Sequence, residues 1–462
     1  MAPLDLDTLR DQIGRGEVDT VVVAFPDLQG RLMGKRVTGH YFLDHVLAPG
    51  AGGRPAGIEA CTYLLAVDVE MTPLPGYGFA NWDQGYGDFT AIPDLGTLRP
   101  LPWLDHTALV LCDLVDAETG APVDVAPRQI LRRQVERAAA AGYTVKCASE
   151  LEFFLFRESY EEAAAKGYAD LEPHSTVIED YHVLQTTRDE YLIRRIRNGM
   201  DAAGVPVEFS KGEAGRGQHE INLAYTDALE MADRHVVYKN GAKEIASLAG
   251  RSITFMAKYS MDEVGSSCHV HSSVWDAAGE QSLMWDADAP HHLAPVFRGW
   301  LGGQLAAGRE LAWLYAPTVN SYKRYQPESW APTALVWGRD NRTCGLRVVG
   351  HGGGYRVESR IPGADVNPYL ALAATIAAGL HGIEHGLDPG DPFVGNAYAA
   401  DGVARVPESI VDAIGELERS EIARAAFGAD VHDHLVNTAR QEWLSFNRAV
   451  TDWERRRNFE QF

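Results

Sequence analysis

The spacing of apolar and polar residues divides the chain into two textures. Residues 4–16 read as a short helix. VDTVVVAFPD, a Gln29–Gly30 turn and RLMGKRV then predict a β-hairpin. Gly- and Pro-rich sequence from Pro49 to Pro75 contains one strand-like piece, CTYLLAVDV, and TALVLCDLVD supplies a further strand. The first region, about residues 1–113, therefore reads as a small sheet with one helix.

Beyond Pro122 the texture changes. VAPRQILRRQVERAAAAG has Pro near its start, a helical apolar stripe and a closing Gly, and predicts a capped helix that opens a second domain, residues 114–462. Strands alternate with helices to about residue 380, and the last stretch is mostly helical, through PESIVDAIGELERSEIARAAFG and HDHLVNTARQEWLSFNRAVTDWERRRNF. There is no internal repeat at solenoid spacing and no low-complexity linker.

Four of the predicted strands share one device: polar residues two apart within an apolar setting, which places them on one face of a strand. KCASELEFFLF pairs Glu150 with Glu152, and GQHEINLAY groups Gln218, Glu220 and Asn222. SCHVHSSVW sets His269, His271 and Ser273 opposite Val270 and Val274, while GYRVESRIP sets Arg356, Glu358 and Arg360 opposite Val357 and Ile361. One such strand is commonly the wet face of an antiparallel sheet. Two like charges side by side next to FFLF suit solvent poorly, because they repel. Turned inward, the four faces build a cavity of carboxylates, imidazoles and guanidinium groups, and buried carboxylates at that density call for bound cations.

The donor types narrow the cation. Carboxylates outnumber histidines and no thiolate joins them, which suits Mg²⁺ or Mn²⁺ more than zinc. VEFSKGEAGRGQHE adds Glu208 and Glu213 around a glycine-rich hairpin, while NSYKRYQPESWAP and RDNRTCGLR bring Arg324, Arg339, Arg342 and Arg347, a clamp suited to phosphates and a carboxylate. No Walker A or GxGxxG segment is present, so the nucleotide chemistry implied by Mg²⁺ needs another kind of site.

Composition sets bounds on partners and place. Sixty-four acids against 42 bases leave a formal charge of −22, which argues against nucleic acid and anionic membrane as partners. The five cysteines are scattered and form no CxxC pair, the pattern of reduced thiols, and no apolar run is long enough to cross a bilayer. Both features suggest the cytoplasm.

Together these segments resemble the glutamine synthetase superfamily over nearly the whole chain. SELEFFLF, EAGRGQHE, GSSCHVHSS, NSYKRYQP, RDNRTCGLR and RVESRIPGADVNPYLALAATIAAGL follow one another in the family's order. The resemblance implies an α+β fold, with an N-terminal β-grasp domain and a large catalytic domain whose curved antiparallel sheet forms half of an active-site barrel. It implies ATP as co-substrate and at least two Mg²⁺ or Mn²⁺ ions. Glu152, Glu213 and Glu220 would hold the ion nearer glutamate, and Glu150, His269 and Glu358 the ion on the ATP phosphates. Glu208, His271, Ser273 and Arg356 would contact ATP. Arg324, Arg360 and the backbone of Gly265 would hold glutamate, with Arg342 on the transferred phosphate and Arg347 close to it. Family members form stacked rings, typically dodecamers, in which a neighbour's N-terminal domain completes each site.

The chain departs from the ammonia-using pattern on the amine side. Those members carry a glutamate in a PGYEAP-like flap, a base for ammonium. Here the segment runs Pro327-Glu328-Ser329-Trp330-Ala331-Pro332, with Trp330 in that place and Glu328 two residues earlier. IEACTY, from Ile58 to Tyr63, stands where FDGSS is usual, and Val264 replaces an asparagine before Gly265. The expected activity is ligation of the glutamate γ-carboxylate to a small primary amine, with ethanolamine first and a polyamine second. A glutamine synthetase with Glu328 as a relocated base, and an inactive scaffold, are the competing readings. Some members carry an adenylylated tyrosine in an NLYDLPPEE-like loop. Here Asn396-Ala397-Tyr398 continues as Ala399-Ala400-Asp401-Gly402, so no such modification is expected at Tyr398.

Overall fold

Two mixed sheets organise the computed structural model, which describes residues 4–50 and 53–462. The first uses β1 (Thr20–Pro26), β2 (Leu32–Thr38), β3 (Ile58–Cys61), β4 (Asp88–Pro93), β5 (Arg99–Pro100) and β6 (Thr107–Asp116), in the order β2-β1-β6-β4-β3 with β5 on β6. β1 runs antiparallel to β2 and parallel to β6, so the expected hairpin is flanked by a long-range partner. Its turn depends on Gly30, whose φ of 74° is open to glycine at little cost. Helix Leu6–Gly14 starts where the Asp5 carboxylate accepts the Thr8 N–H at 2.7 Å.

CTYLLAVDV is only partly a strand. β3 begins earlier, at Ile58, and ends at Cys61, after which Thr62–Leu65 form a 3₁₀ turn that buries Leu65. An apolar run of that length satisfies either conformation, and packing decided it. A second helical stretch in this region, Gly39–Val46, also falls outside the single helix expected there.

The second sheet contains β7 (Thr144–Phe156), β8 (Val207–Gly212), β9 (Gln218–Leu223), β10 (Thr226–Asp227), β11 (Ser252–Thr254), β12 (Cys268–Trp275), β13 (Trp337–Arg339), β14 (Leu346–Val349) and β15 (Arg356–Ser359). Its order is β13-β14-β15-β12-β7-β9-β8, with β10 and β11 also on β7, and it curves into a nearly closed barrel. Helix Pro368–Glu384 is buried along almost its whole length against helix Pro295–Ala307. Gly303 makes the close approach possible, since a Cβ there would lie 2.0 Å from the Ala378 carbonyl oxygen. At the carboxyl end the helical pattern is cut at Ser420, Gly428 and Ala449, Gly428 having a φ of 85°.

Two ties bind the N-terminal part to the helices of the second part. Arg128, buried on the helix Pro127–Ala140, pairs with Asp94 at 2.7 Å, with Asp113, and with Asp233 at 2.9 Å. Asn367, at the start of helix Pro368–Glu384, donates to the carbonyls of Asp27 and Leu28 at 3.0 and 3.1 Å. One continuous apolar core runs through both parts. β6 ends at Asp116 and the next helix opens at Pro127, so the chain passes between the two parts in that interval.

Candidate active site

Strand register builds the site as three cross-strand rows. Asn222, Glu150 and His269 lie side by side on β9, β7 and β12. Lys211, Glu220 and Glu152 form a row on β8, β9 and β7. His271, Glu358 and Arg347 form the third, on β12, β15 and β14. All four expected polar faces therefore meet on one side of one sheet, and their ligand atoms converge. Those of Glu152, Glu213 and Glu220 lie within 4.8 Å of one another, as do those of Glu150, His271 and Glu358 and those of Glu150, Glu220 and His269.

The charge balance differs between the two ends. Glu152 and Glu220 are almost fully buried. Burial, then the Glu213 carboxylate, pushes the Glu152 carboxyl up, against a 2.7 Å hydrogen bond from the Ser267 N–H. Burial, then Glu150, Glu213 and Glu152, pushes Glu220 up as well. One ammonium, Lys211 paired to Glu213, answers three carboxylates. Around Glu358 the balance reverses. Burial would raise its carboxyl, but Arg360, His269 and His271 bring it down to about 2, and Arg347 Nη1 adds a 2.7 Å ion pair. Burial likewise opposes ionisation of Glu150, yet His271 and His269 hold it far below the usual carboxylate range.

Hydrogen bonds settle the imidazoles. Arg356 Nε donates to His271 Nδ1 at 3.0 Å, so His271 Nε2 carries the proton it gives to Glu150 at 2.8 Å. His269 Nδ1 faces Glu150 at 3.1 Å and Glu358 at 3.7 Å. A carboxylate only accepts, so a proton on Nδ1 stands in the place between two carboxylates that a divalent cation suits. The donor set fits Mg²⁺ or Mn²⁺: carboxylates predominate, imidazole is secondary and, among the described residues, no cysteine joins these ligand clusters.

Two cavities meet at Glu150 and Asn222, which line both. The larger, about 980 Å³, takes in Glu208, His271, Ser273 and Arg356 together with the rings of Tyr225, Trp275 and Trp285. Glu208 sits at a register shift between Val207 and Phe209, a bulge that aims it into this cavity while Phe209 lines the other. Tyr225 and Trp275 are near parallel, 6.3 Å apart at 17°, a setting for a flat aromatic ring. The smaller cavity, about 480 Å³, takes in Glu152, Glu213, Glu220, Gly265, Arg342, Arg347 and Arg360.

Arg324 and Glu328 depart from expectation, and Trp330 does not. Arg324 does not line the smaller cavity. It is 1% exposed, gives its terminal nitrogens to Ile361 O, Arg360 O and Ser267 Oγ at 2.7–3.0 Å, and leaves Nε unpartnered. Gly265 packs on it so closely that a Cβ would lie 2.6 Å from Arg324 Cγ. Glu328 is exposed and lines neither cavity, whereas Trp330 lines the smaller one while 57% exposed. Both hold positive φ, 55° and 62°, which costs a side-chain-bearing residue strain and marks the flap as a shaped turn.

Lys211, Asp180 and Tyr181 also line the smaller cavity and were not singled out from the sequence. Lys211 could have been found, since it lies two residues before Glu213 in a strand pattern. Asp180 and Tyr181 come from a loop without periodicity. Glu59 is exposed, and among the described residues no member of the N-terminal sheet lines either cavity.

Comparison with known proteins matches these features to one family. The family model for the glutamine synthetase catalytic domain matches residues 124–458. The chain is 52% identical over 458 residues to a gamma-glutamylethanolamide synthetase of Streptomyces coelicolor, covering 99% of this chain and 96% of that one. It is 38% identical to a glutamate–isopropylamine ligase of a Pseudomonas species, with 96% of each covered. The ligand-free structure of GmaS superposes with a TM-score of 0.84 at 30% identity, covering 99% of both chains. Among the described residues no helix is long and apolar enough to cross a membrane.

Proposed function

This chain belongs to the glutamine synthetase family, a C–N bond-forming ligase, and we propose that it joins the glutamate γ-carboxylate to ethanolamine at the expense of ATP. A γ-carboxylate oxygen attacks the γ-phosphorus of ATP and ADP departs. The amine nitrogen then attacks the acyl carbon of γ-glutamyl phosphate, inorganic phosphate leaves and the nitrogen loses a proton. In this reading Glu152, Glu213 and Glu220 hold one divalent ion and Glu150, His269 and Glu358 another. Bound there, such ions offset charge on phosphate oxygens.

The protein's own residues do the positioning. Glu208, His271, Ser273 and Arg356 hold the nucleotide in the larger cavity. Arg360 and the Gly265 backbone hold glutamate in the smaller one, with Arg324 bracing Gly265 from beneath. Arg342 and Arg347 face the transferred phosphoryl group, where positioning and charge carry the step. The junction at Glu150 is where the two substrates meet.

The observation that carries the amine assignment is the flap. Of the flap residues, Trp330 and Ser329 line the smaller cavity, and Glu328 lines neither cavity. An indole accepts no proton but packs on a methylene chain or faces a cationic amine. The ethanolamide activity printed for the S. coelicolor relative supports ethanolamine over a polyamine. The proposal includes a cytoplasmic location, supported by five free cysteines. It also includes a homo-oligomer, a dodecamer on the family pattern, whose neighbouring N-terminal sheet completes each site.

The test is kcat/KM for ethanolamine, putrescine and ammonium by phosphate release. Ethanolamine should lead ammonium by more than about tenfold, and Trp330→Glu should narrow that gap. Ammonium leading would overturn the organic-amine reading, and putrescine leading would replace ethanolamine.

A further inference from the structure

His219 lies between Gln218 and Glu220 on β9 and so projects to the side away from the cavities. There it meets residues from the loop that follows β7. His219 Nε2 stands 2.8 Å from Asp189 Oδ2 and 3.6 Å from Glu179 Oε2, and His174 Nδ1 contacts the other Asp189 oxygen. Glu179 and Asp189 are 0% exposed and His219 1%. The ligand atoms of Glu179, Asp189 and His219 all lie within 4.8 Å of one another.

Two features show that this cluster is not an ordinary ion-pair network. Both carboxylate oxygens of Glu179 are buried and unpartnered, the neighbouring Ser175 hydroxyl donating instead to the Val177 carbonyl at 3.0 Å. A desolvated carboxylate without a donor calls for a cation. Among the described residues no lysine or arginine pairs with Glu179 or Asp189. Asp189 also occupies the N-cap of helix Glu190–Ala202 yet makes no capping hydrogen bond, having turned its carboxylate to the histidines.

We propose that His174, Glu179, Asp189 and His219 bind one structural divalent ion of the zinc class, separate from the catalytic cations. Donors about 2.0–2.2 Å from a tetrahedral zinc stand roughly 3.3 Å from one another, close to the spacing around His219. Two imidazoles with two carboxylates suit zinc more than Mg²⁺, which prefers oxygen and keeps its water. The ion's task is positional. The residues after Glu179 are Asp180 and Tyr181, which line the smaller cavity, with Lys211 Nζ 3.5 Å from Asp180 and 4.5 Å from the Tyr181 ring. An ion gripping Glu179 and His219 would fix this loop to the strand that carries Glu220.

The experiment is elemental analysis of full-length protein grown with zinc and dialysed exhaustively against excess Mg²⁺. About one equivalent of zinc per chain should remain, as slow release follows from a buried site. It should fall at least tenfold in a Glu179→Gln, Asp189→Asn double variant and persist in Glu358→Gln. Crystals of the wild-type protein should show an anomalous zinc peak between His174 and His219, which decides the matter if the double variant fails to fold. Zinc below about a tenth of an equivalent with no such peak would overturn the proposal and leave Glu179 as a buried, protonated acid. Zinc retained in full by a folded double variant would overturn it too.

Discussion

Glu152 and Glu220 stand directly opposite each other across β7 and β9, two buried carboxylates in the position where cross-strand neighbours are closest. Like charges in that arrangement destabilise a sheet. In the proposed function an ion between them would turn that repulsion into binding. Glu152→Gln keeps the shape and the acceptor for Ser267 while removing one charge. It should lower turnover at saturating Mg²⁺ by at least about 100-fold, beyond the roughly 10–100-fold lost with groups that only support a metal ligand. Its melting temperature without metal should not fall. A variant with the wild-type rate would take Glu152 out of the ligand set.

Arg128 answers three aspartates, Asp94 and Asp113 of the N-terminal part and Asp233 of helix Ala228–Leu248, and among the described residues no other cation forms an ion pair with Asp233. Arg128→Met should destabilise the folded chain by about 3–5 kcal/mol, because it leaves the buried Asp233 carboxylate without its cation, while Asp94 and Asp113 keep Arg132. The urea midpoint of unfolding measures this. A midpoint at the wild-type value would show that the tie is not energetically important.

His434 predicts the acid limit of stability. Its Nε2 donates to the Leu65 carbonyl at 2.9 Å, so Nδ1 is bare, and it is buried with no partner. Burial, opposed by the Leu65 carbonyl, lowers its pKa from 6.5 to about 4. Above pH 6.5 the ring is neutral folded or unfolded. Between 6.5 and 4 only the unfolded chain takes up the proton, so stability falls with pH by up to roughly 3 kcal/mol. His235, lowered to about 3 mainly by burial, adds in the same direction. His434→Gln should flatten the dependence of the unfolding midpoint over that window. An unchanged slope would assign it to other groups.

Tyr398 should carry no adenylyl group. Besides lacking the acidic context of a modified loop, its hydroxyl is buried. Intact mass from nitrogen-replete cells should match the unmodified chain, and an added AMP on Tyr398 would refute this.

The catalytic strands were legible because their signal has period two and lies within short segments. Glu150 with Glu152, His269 with His271, and Glu358 with Arg360 are each read without knowing which strand pairs with which. The N-terminal hairpin and the helix opening at Pro127 were legible through turn and cap residues. What escaped depends on distant contacts. Leu65 is drawn into a 3₁₀ turn by the core beneath it. Arg324 is consumed by backbone carbonyls of residues 360 and 361, which no local pattern announces. The His219 cluster unites four residues with no common spacing, on the face the strand pattern assigns to packing.

β7 pairs with β9, β10, β11 and β12, so the strand that bears Glu150 and Glu152 finds its partners only in chain made after it. β15, which brings Glu358 to β12, comes later still. Contacts this far apart form slowly, because long loops must close before any pairing repays the lost freedom. A nascent chain therefore has no assembled cation site, and competence for catalysis arrives among the last events of folding. The candidate ligands gather only when the barrel does, so metal uptake there would report that the sheet has closed in the correct register.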